Sequence, residues 1–291
     1  MPTKTVKELE IAVDQFYNLE LNAFNECQWS PLHISAGCQD PSLYKHIMNK
    51  EEDKNPENEE KTTPLHIAAL KGNLEICKVI LEKLQDKNPE NIYGDTPLLN
   101  SAQKGHFEVF KLIIENEDYK NPASSNINTS LFYAAMNGHF EICKLIIENV
   151  EDKNPANISG ETPLSFAARR GYLEICELII ENIENKNPAN NVGDTPLSYA
   201  AENGHVKICK LIIENVEDKN PTNNFGMTPL KIAAREGHFG ICKLIIDNLE
   251  DKNPANNIGF TALSFAACKG HFEICKLIIE NGEEKKSCKH S

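Results

Sequence analysis

The stretch TPLHIAALKGNLEICKVILEKL, residues 63–84, contains a helix start, a helix stop and a second helix in close succession. Thr63 is a good N-cap residue, and the proline after it suits the first helical position. Gly72 then predicts the end of this short helix. An apolar segment follows, and its counterpart FEICKLIIEN (140–149) has the wide apolar face of a packed helix. The stretch therefore predicts a helix-turn-helix unit.

This unit recurs along the chain with a fixed period of 33 residues. Eight repeats fill residues 30–282 without insertion or deletion, and they begin at Ser30, Thr63, Thr96, Thr129, Thr162, Thr195, Thr228 and Thr261. Between repeats lie segments such as EDKNPANISGE (151–161), in which Asn-Pro disfavours further helix and Gly suits a hairpin-like turn. Because one unit cannot bury its apolar face alone, the period predicts a stack of units around a shared core.

Three of these stretches resemble the ankyrin repeat: TPLHIAALKGNLEICKVILEKL (63–84), DTPLLNSAQKGHFEVFKLII (95–114) and MTPLKIAAREGHFGICKLII (227–246). The period, the Thr-Pro-Leu start, the alanine pair and the Gly-His join all match. The resemblance implies an all-α ankyrin-repeat solenoid of stacked helix-turn-helix units with hairpin-like loops. It also implies that the loops and first helices line a concave surface that is usually used for protein binding.

The second helices depart from the family pattern at their ends, where ankyrin repeats usually carry glycine and here only Gly282 matches. We expect either that the asparagine one residue earlier adopts the left-handed conformation, or that the helix runs on toward Asn-Pro. These asparagines are Asn149, Asn182, Asn215 and Asn248. Substitutions in the third and fourth repeats, among them Asn100-Ser101, Ile127 and Ser130, predict that residues 100–130 are the least regular part.

The two ends of the chain differ from the repeats. Residues 1–29 begin with a capping-box pattern at Thr5–Glu8 and continue with an apolar series, which predicts a helix that caps the first repeat. A docking helix for a partner is the alternative. Residues 283–291 form a polar tail without a further capping helix, so either this tail suffices or this end meets a partner or a second copy by self-association.

Charge and composition exclude several classes of partner. The net charge of −13 disfavours a nucleic-acid partner and anionic membranes, because both require clustered Lys and Arg. The sequence has no signal-peptide core and no uninterrupted apolar stretch of membrane-spanning length, so we expect no membrane insertion. Ten cysteines without a signal peptide indicate reduced thiols. We therefore expect a cytoplasmic protein, with a nuclear location as the alternative.

The recurring cysteines are the strongest chemical pattern, and we interpret them as core residues. Six of them share one position on the second helix: Cys77, Cys143, Cys176, Cys209, Cys242 and Cys275. Equivalent positions on stacked helices lie about 8–10 Å apart, too far for a shared zinc ion with sulfur bonds of about 2.3 Å. His-Cys pairs four residues apart recur four times, whereas an active site is needed once. We expect no catalytic residue, metal or cofactor, and an exposed thiol at Cys268.

Positions that vary between repeats are the candidates for contact with a partner, because the scaffold does not demand them. The chosen residues lie at the end of the first helix or in the loop: Tyr93, Met136, Arg169, Arg170, Phe225, Met227, Arg235, Phe260 and Lys269. We predict an apolar patch of Phe225, Met227 and Phe260 over repeats six to eight, flanked by Arg235 and Lys269. The alternative is that both phenylalanines pack under their own loops.

The sequence therefore favours a non-catalytic scaffold or adaptor that binds a protein of unknown identity on the concave face. A regulatory subunit of a larger complex, of the channel or ubiquitin-ligase type, is the alternative. An enzyme is the least favoured class, since no phosphate-binding glycine loop, HExxH or GxSxG motif occurs.

Overall fold

The computed structural model describes residues 29–116, 130–249 and 260–287, and side chains as far as residue 281. The predicted N-terminal cap therefore lies almost wholly outside the described residues, as does most of the loop predicted to be irregular. The chain divides into two compact halves, residues 1–150 and 151–291.

Helices in pairs make up both halves. The first half contains α1 (Pro31–Gly37), α2 (Pro41–Lys50), α3 (Pro64–Lys71), α4 (Leu74–Leu81), α5 (Pro97–Lys104), α6 (Phe107–Glu115), α7 (Ser130–Asn137) and α8 (Phe140–Ile147). The second half contains α9 (Pro163–Arg170), α10 (Leu173–Glu181), α11 (Pro196–Glu202), α12 (Val206–Glu214), α13 (Pro229–Glu236), α14 (Phe239–Asp247), α15 (Ala262–Lys269) and α16 (Phe272–Ser287). No strand occurs in the described ranges, which confirms the all-α expectation.

Like helices pack on like helices within each half. In the second half, α9, α11, α13 and α15 contact one another in sequence, and so do α10, α12, α14 and α16. The first half repeats this arrangement, and in both halves the first helices approach each other more extensively than the second helices. The alanine pair explains this closeness, since Ala167, Ala168, Ala200 and Ala201 are completely buried.

The first helices begin where the threonines predict. Thr162 has extended backbone angles, and its hydroxyl accepts a hydrogen bond of 3.3 Å from the amide of Ser165. Thr195 and Thr228 cap α11 and α13 in the same way. Each cap satisfies one of the amides that a helix start leaves without a partner.

The first helices end at glycine for two separate reasons. Gly171 has a φ of +85°, in the left-handed region that other residues rarely adopt. A Cβ atom at Gly171 would also lie 2.6 Å from the ring of His205 in the next repeat. That ring is fixed there because His205 Nε2 donates to the carbonyl of Arg169 at 3.1 Å. The Gly-His join is therefore a contact between repeats as well as a turn.

The ends of the second helices match neither predicted alternative. Asn182 and Asn215 end α10 and α12 with φ values of −110° and −112°, so the left-handed prediction is wrong. The helices also stop well before Asn-Pro. Instead, the Asn182 side chain donates to the carbonyl of Leu178 at 2.8 Å, and Lys186 Nζ donates to the carbonyls of Ile180 and Ile183. An asparagine amide and a loop lysine thus satisfy the carbonyls that a glycine turn would otherwise bond.

In the described loops, Asn-Pro links one repeat to the next through a side-chain hydrogen bond. Asn187 Oδ1 accepts from the amide of Leu197 in α11 at 3.0 Å, and Asn220 Oδ1 accepts from the amide of Leu230 in α13 at 2.9 Å. The same bond joins Asn154 to Leu164, and it recurs in the first half. The repeated asparagine therefore serves as a second cap for the following first helix.

Two further segments differ from the sequence-based expectation. Within the described part of the third repeat, α5 and α6 are regular helices, because Ser101 is buried and its hydroxyl donates to the Leu98 carbonyl at 2.7 Å. The helix α16 continues through Gly282 to Ser287 rather than ending where the polar tail was predicted to begin. No Asn-Pro follows there, and the glutamates and lysines after Gly282 are good helix formers.

The double role of the glycine gives a stability prediction. Gly171→Ala should destabilise the chain by more than about 2 kcal/mol, since it adds a clash with His205 to the usual left-handed backbone cost of about 1–2 kcal/mol. Gly270→Ala should cost less, because a Cβ atom there meets nothing within 4 Å. Urea unfolding followed by circular dichroism measures both.

A double-mutant cycle separates the clash from the backbone cost. Adding His205→Ala to Gly171→Ala should cost less than the sum of the two single changes, because the ring that meets the new Cβ atom is gone. Strict additivity would show that the histidine is irrelevant to the glycine requirement.

Candidate functional site

An asparagine at the turn holds each described loop of the second half in one conformation. Asn223 Oδ1 accepts from the amides of Phe225 at 3.0 Å and Met227 at 2.9 Å, and Gly226 completes the turn with a φ of +71°. The turn leaves the Phe225 side chain 70% exposed. The preceding loop is bound to this one, since the amide of Asn224 donates to the carbonyl of Val192 at 2.9 Å.

A cavity of about 300 Å³ opens beside Phe225. It lies between α11 and α13, under the loop that joins repeats six and seven. Its lining is partly apolar and partly charged, and consists of Asp194, Ser198, Tyr199, Glu202, Asn223, Phe225, Met227, Ile232 and Arg235. We call this cavity the Phe225 pocket.

Carboxylates outnumber cations around the Phe225 pocket. Arg235 Nε lies 2.6 Å from Glu236 Oε1, and Arg235 Nη2 lies 3.5 Å from Glu202 Oε1. Asp194 Oδ1 accepts from the Asn223 side chain at 2.7 Å, which orients this half-buried carboxylate. The single guanidinium of the lining thus faces both Glu202 and Glu236, and Asp194 adds a third carboxylate.

A second polar cluster lies one repeat earlier. Glu161 is nearly buried, and its Oε1 accepts from the Tyr199 hydroxyl, from Asn190 Nδ2 at 2.9 Å and from Arg169 Nη2 at 3.4 Å. The Arg169 guanidinium lies 3.7 Å from the Tyr199 ring centroid and 5.1 Å from that of Phe166. Burial, followed by the hydrogen bond to Glu161, raises the pKa of Tyr199 well above its usual value. The phenol therefore stays protonated and acts as a donor.

A buried lysine supports the Phe225 loop from below. Lys231 is 1% exposed and its Nζ donates to the Gly226 carbonyl at 2.9 Å. Five other repeats carry histidine or serine here, such as His66 and Ser198, and the third and fourth carry Leu99 and Phe132. Burial lowers the pKa of Lys231, because the charged amine loses its water.

The structure brings three of the predicted contact residues together, namely Phe225, Met227 and Arg235. Phe225 does not pack under its own loop, since most of its side chain is exposed. Phe260 is 43% exposed and its ring lies 5.8 Å from that of Phe265, outside the pocket lining.

The other predicted contact residues lie elsewhere. Arg170 and Lys269 are exposed, Met136 is half-buried, and Arg169 is held in the Glu161 cluster. Tyr93 is exposed in the first half, and its hydroxyl donates to Glu60 at 3.1 Å.

Sequence reasoning did not select Asp194, Tyr199 and Glu202, which form the polar side of the pocket. Two of them occupy variable positions, just before the threonine and at the end of the first helix. The missed signal is a comparison across repeats, because the arginine at position 169 becomes glutamate 33 residues later. The change replaces a positive charge by a negative one, while the carboxylate before the threonine is retained as Asp194.

Most of the recurring cysteines lie in the core between the helices. Cys77, Cys143, Cys209 and Cys242 are buried, and burial raises the pKa of each thiol to about 12. Cys268 is exposed, as predicted. Over the described ranges, no group of three or more His, Cys, Asp or Glu residues is arranged to hold a metal ion.

In the part of the chain that the structure describes, no helix combines the length and apolar character needed to cross a bilayer.

Comparison with known proteins agrees with the repeat pattern. A family model described as ankyrin repeats (3 copies) matches residues 4–91, 83–157, 131–223 and 212–288. The chain therefore belongs to the ankyrin-repeat family, and the expected ankyrin-repeat solenoid is confirmed. Ankyrin repeats are general protein-protein interaction modules. No curated protein sequence matches the chain.

The buried lysine predicts a specific pH dependence of stability. Between its lowered folded pKa and the unfolded value of about 10.4, Lys231 binds more protons in the unfolded chain and adds a positive contribution to the slope of stability against pH, whereas the buried thiols add a negative one. Lys231→Met should make this slope more negative, whereas Lys243→Met, a change at an exposed lysine on α14, should leave it unchanged. Urea unfolding between neutral pH and pH of about 10 measures the slopes. Equal slopes for wild type and Lys231→Met would contradict the assignment.

The Glu161 cluster predicts a difference between two tyrosines that both bond a glutamate. Tyr199→Phe should destabilise the second half by about 1–3 kcal/mol, because it removes a donor from a nearly buried carboxylate. Glu161 Oε2 already has no hydrogen-bond partner among the described residues. Tyr93→Phe removes an exposed bond and should leave the unfolding midpoint unchanged. A Tyr199→Phe midpoint no lower than that of Tyr93→Phe would refute the importance of the cluster.

Proposed function

We propose that this chain is a non-catalytic protein-binding scaffold, and that it holds a segment of a partner protein over repeats five to seven. The loops and first helices α9, α11 and α13 form the binding surface, and Phe225 is its apolar anchor. One observation carries this proposal: an aromatic side chain that is 70% exposed stands beside a cavity large enough to admit a side chain.

The surface is held rigid before any partner arrives. The amide of Asn191 donates to the Ser159 carbonyl at 3.0 Å, and the amide of Asn224 donates to the Val192 carbonyl at 2.9 Å. Asn191 Nδ2 donates to the Ile158 carbonyl at 3.0 Å. Three successive loop tips are thus bonded to one another. A surface that is ordered in advance loses little conformational entropy on binding, which favours affinity.

The remaining chemistry supports binding rather than catalysis. A thiol whose pKa is raised to about 12, such as Cys143 or Cys209, is almost fully protonated at neutral pH and is a poor nucleophile. His139 and His205 each bond a backbone carbonyl of the preceding repeat at 3.1 Å. Both members of the recurring His-Cys pair are therefore engaged in the fold.

The cellular setting of the proposal rests on the cysteines. Those in the described ranges are all free thiols, which suits a reducing compartment and supports a cytoplasmic or nuclear location. No observation on the described residues favours a channel or ligase subunit over a free-standing adaptor.

The test compares two phenylalanines of similar exposure. Phe225→Ser should weaken partner binding about thirtyfold, as expected for the loss of a binding hot spot of about 2 kcal/mol. Phe272→Ser removes a side chain that is 73% exposed at the start of α16, and it should leave binding unchanged. Affinity purification from the source cells with quantitative mass spectrometry identifies partners, and titration of a purified partner gives the dissociation constants.

Circular dichroism shows whether both variants are folded. Partners that bind Phe225→Ser and Phe272→Ser equally well would remove the proposed site. If partners fail to bind only the Phe272→Ser variant, the binding site lies in the last repeat instead.

A further inference from the structure

We propose that the Phe225 pocket takes a basic side chain, arginine or lysine, from the partner segment. The inference rests on the proposed function, because it names the partner chemistry that the same surface recognises. It is carried by a comparison of the Phe225 pocket with the equivalent place one repeat earlier.

The earlier place is filled by an arginine of this chain. Arg169 lies with its guanidinium over the rings of Phe166 and Tyr199 and donates to Glu161. Carboxylate, aromatic ring and guanidinium form one compact cluster there. This arrangement is a direct example of how the scaffold binds a planar cation.

The Phe225 pocket repeats part of this arrangement without the arginine. A shift of 33 residues replaces Glu161 by Asp194, Phe166 by Tyr199, and Arg169 by Glu202. Asp194 and Tyr199 line the pocket, so the carboxylate and the ring at the Phe166 position are retained, whereas Ile232 stands in place of the ring nearer to the guanidinium. The supporting asparagine is retained as well, since Asn223 donates to Asp194 as Asn190 does to Glu161. A cavity lined by two carboxylates therefore stands where the previous repeat has a guanidinium.

The shape of the Phe225 pocket suits a long basic side chain. Its apolar side, formed by Met227 and Ile232, can pack against a methylene stem. Phe225 offers an exposed ring at the mouth, where a cation gains from the face of the ring. A volume of about 300 Å³ exceeds that of a single methyl group or water molecule.

Local charge favours a cation despite Arg235 in the lining. Arg235 is shared between Glu236 at 2.6 Å and Glu202 at 3.5 Å, so one guanidinium faces two carboxylates, and Asp194 has no cation of its own among the lining residues. The net charge of −13 for the whole chain acts in the same direction, because it attracts a basic segment from a distance.

The experiment uses a display library of random dodecapeptides selected against the full chain, followed by titration of the selected peptides. Wild type should select peptides with Arg or Lys next to an apolar residue. Asp194→Asn combined with Glu202→Gln should weaken their binding about tenfold or more. Glu177→Gln combined with Glu181→Gln changes the total charge equally on the exposed side of α10 and should change binding less than twofold.

A third variant tests the comparison between repeats directly. Glu202→Arg places a guanidinium at the position of Arg169 and next to Asp194, so the chain's own cation should occupy the pocket and abolish binding of the basic peptides. Because repeat five already accommodates this residue, the variant should remain folded, which thermal unfolding measures.

The outcomes distinguish this inference from the proposed function. Peptides that depend on Phe225 but carry no basic residue, or that bind equally well to Asp194→Asn/Glu202→Gln, would overturn the inference and leave the binding site in place. Binding that survives Phe225→Ser would overturn both. Failure to select any peptide, or equal weakening by the control on α10, would also overturn the inference, since general attraction would then suffice.

Discussion

The contact between the helix-ending glycine of one repeat and the histidine of the next is the constraint on which each half depends. Gly204 has a φ of +79°, and a Cβ atom there would lie 2.9 Å from the ring of His238. His238 Nε2 in turn bonds the Glu202 carbonyl at 3.0 Å. One small residue thus ends a helix and admits the side chain that fixes the next repeat. The spacing and order of the helices follow from it, because a stack gains stability only through such neighbour contacts.

The loops obey a second set of constraints, and these leave some side chains free. Asparagine amides cap helices, close turns and join loop tips, as Asn187, Asn190 and Asn191 do in succession. Because backbone groups and asparagine side chains hold the loops, the side chain at the tip of each loop is not needed to maintain the loop conformation. Val192 and Phe225 occupy equivalent tips, yet their exposed fractions are 39% and 70%. Specificity can therefore change at the tips without loss of stability.

Sequence reasoning succeeded where one residue type determines one local conformation. Threonine caps, helix-ending glycines and buried cysteines recur every 33 residues, so each of these predictions is supported by several repeats. The asparagines after the second helices were misread because the family rule considers only the backbone conformation. Asn182 satisfies a carbonyl with its side chain while its backbone keeps a negative φ. The polar side of the Phe225 pocket was missed for another reason: it depends on pairs such as Asp194 and Asn223, which meet only after stacking.

Charged residues on the first helices show how a uniform scaffold acquires a distinct site. Arg169 meets Glu161 and the cluster is self-contained, whereas Glu202 occupies the arginine position beside Asp194. At the next position Arg235 is present again, but Met227 stands where the carboxylate was, and the guanidinium turns to Glu202 and Glu236. Each repeat thus keeps the backbone and alters one member of a charge pair. Asp194 has no cation among the residues that line the pocket, so its carboxylate can pair with a cation of another chain, and comparison between successive repeats reveals this difference.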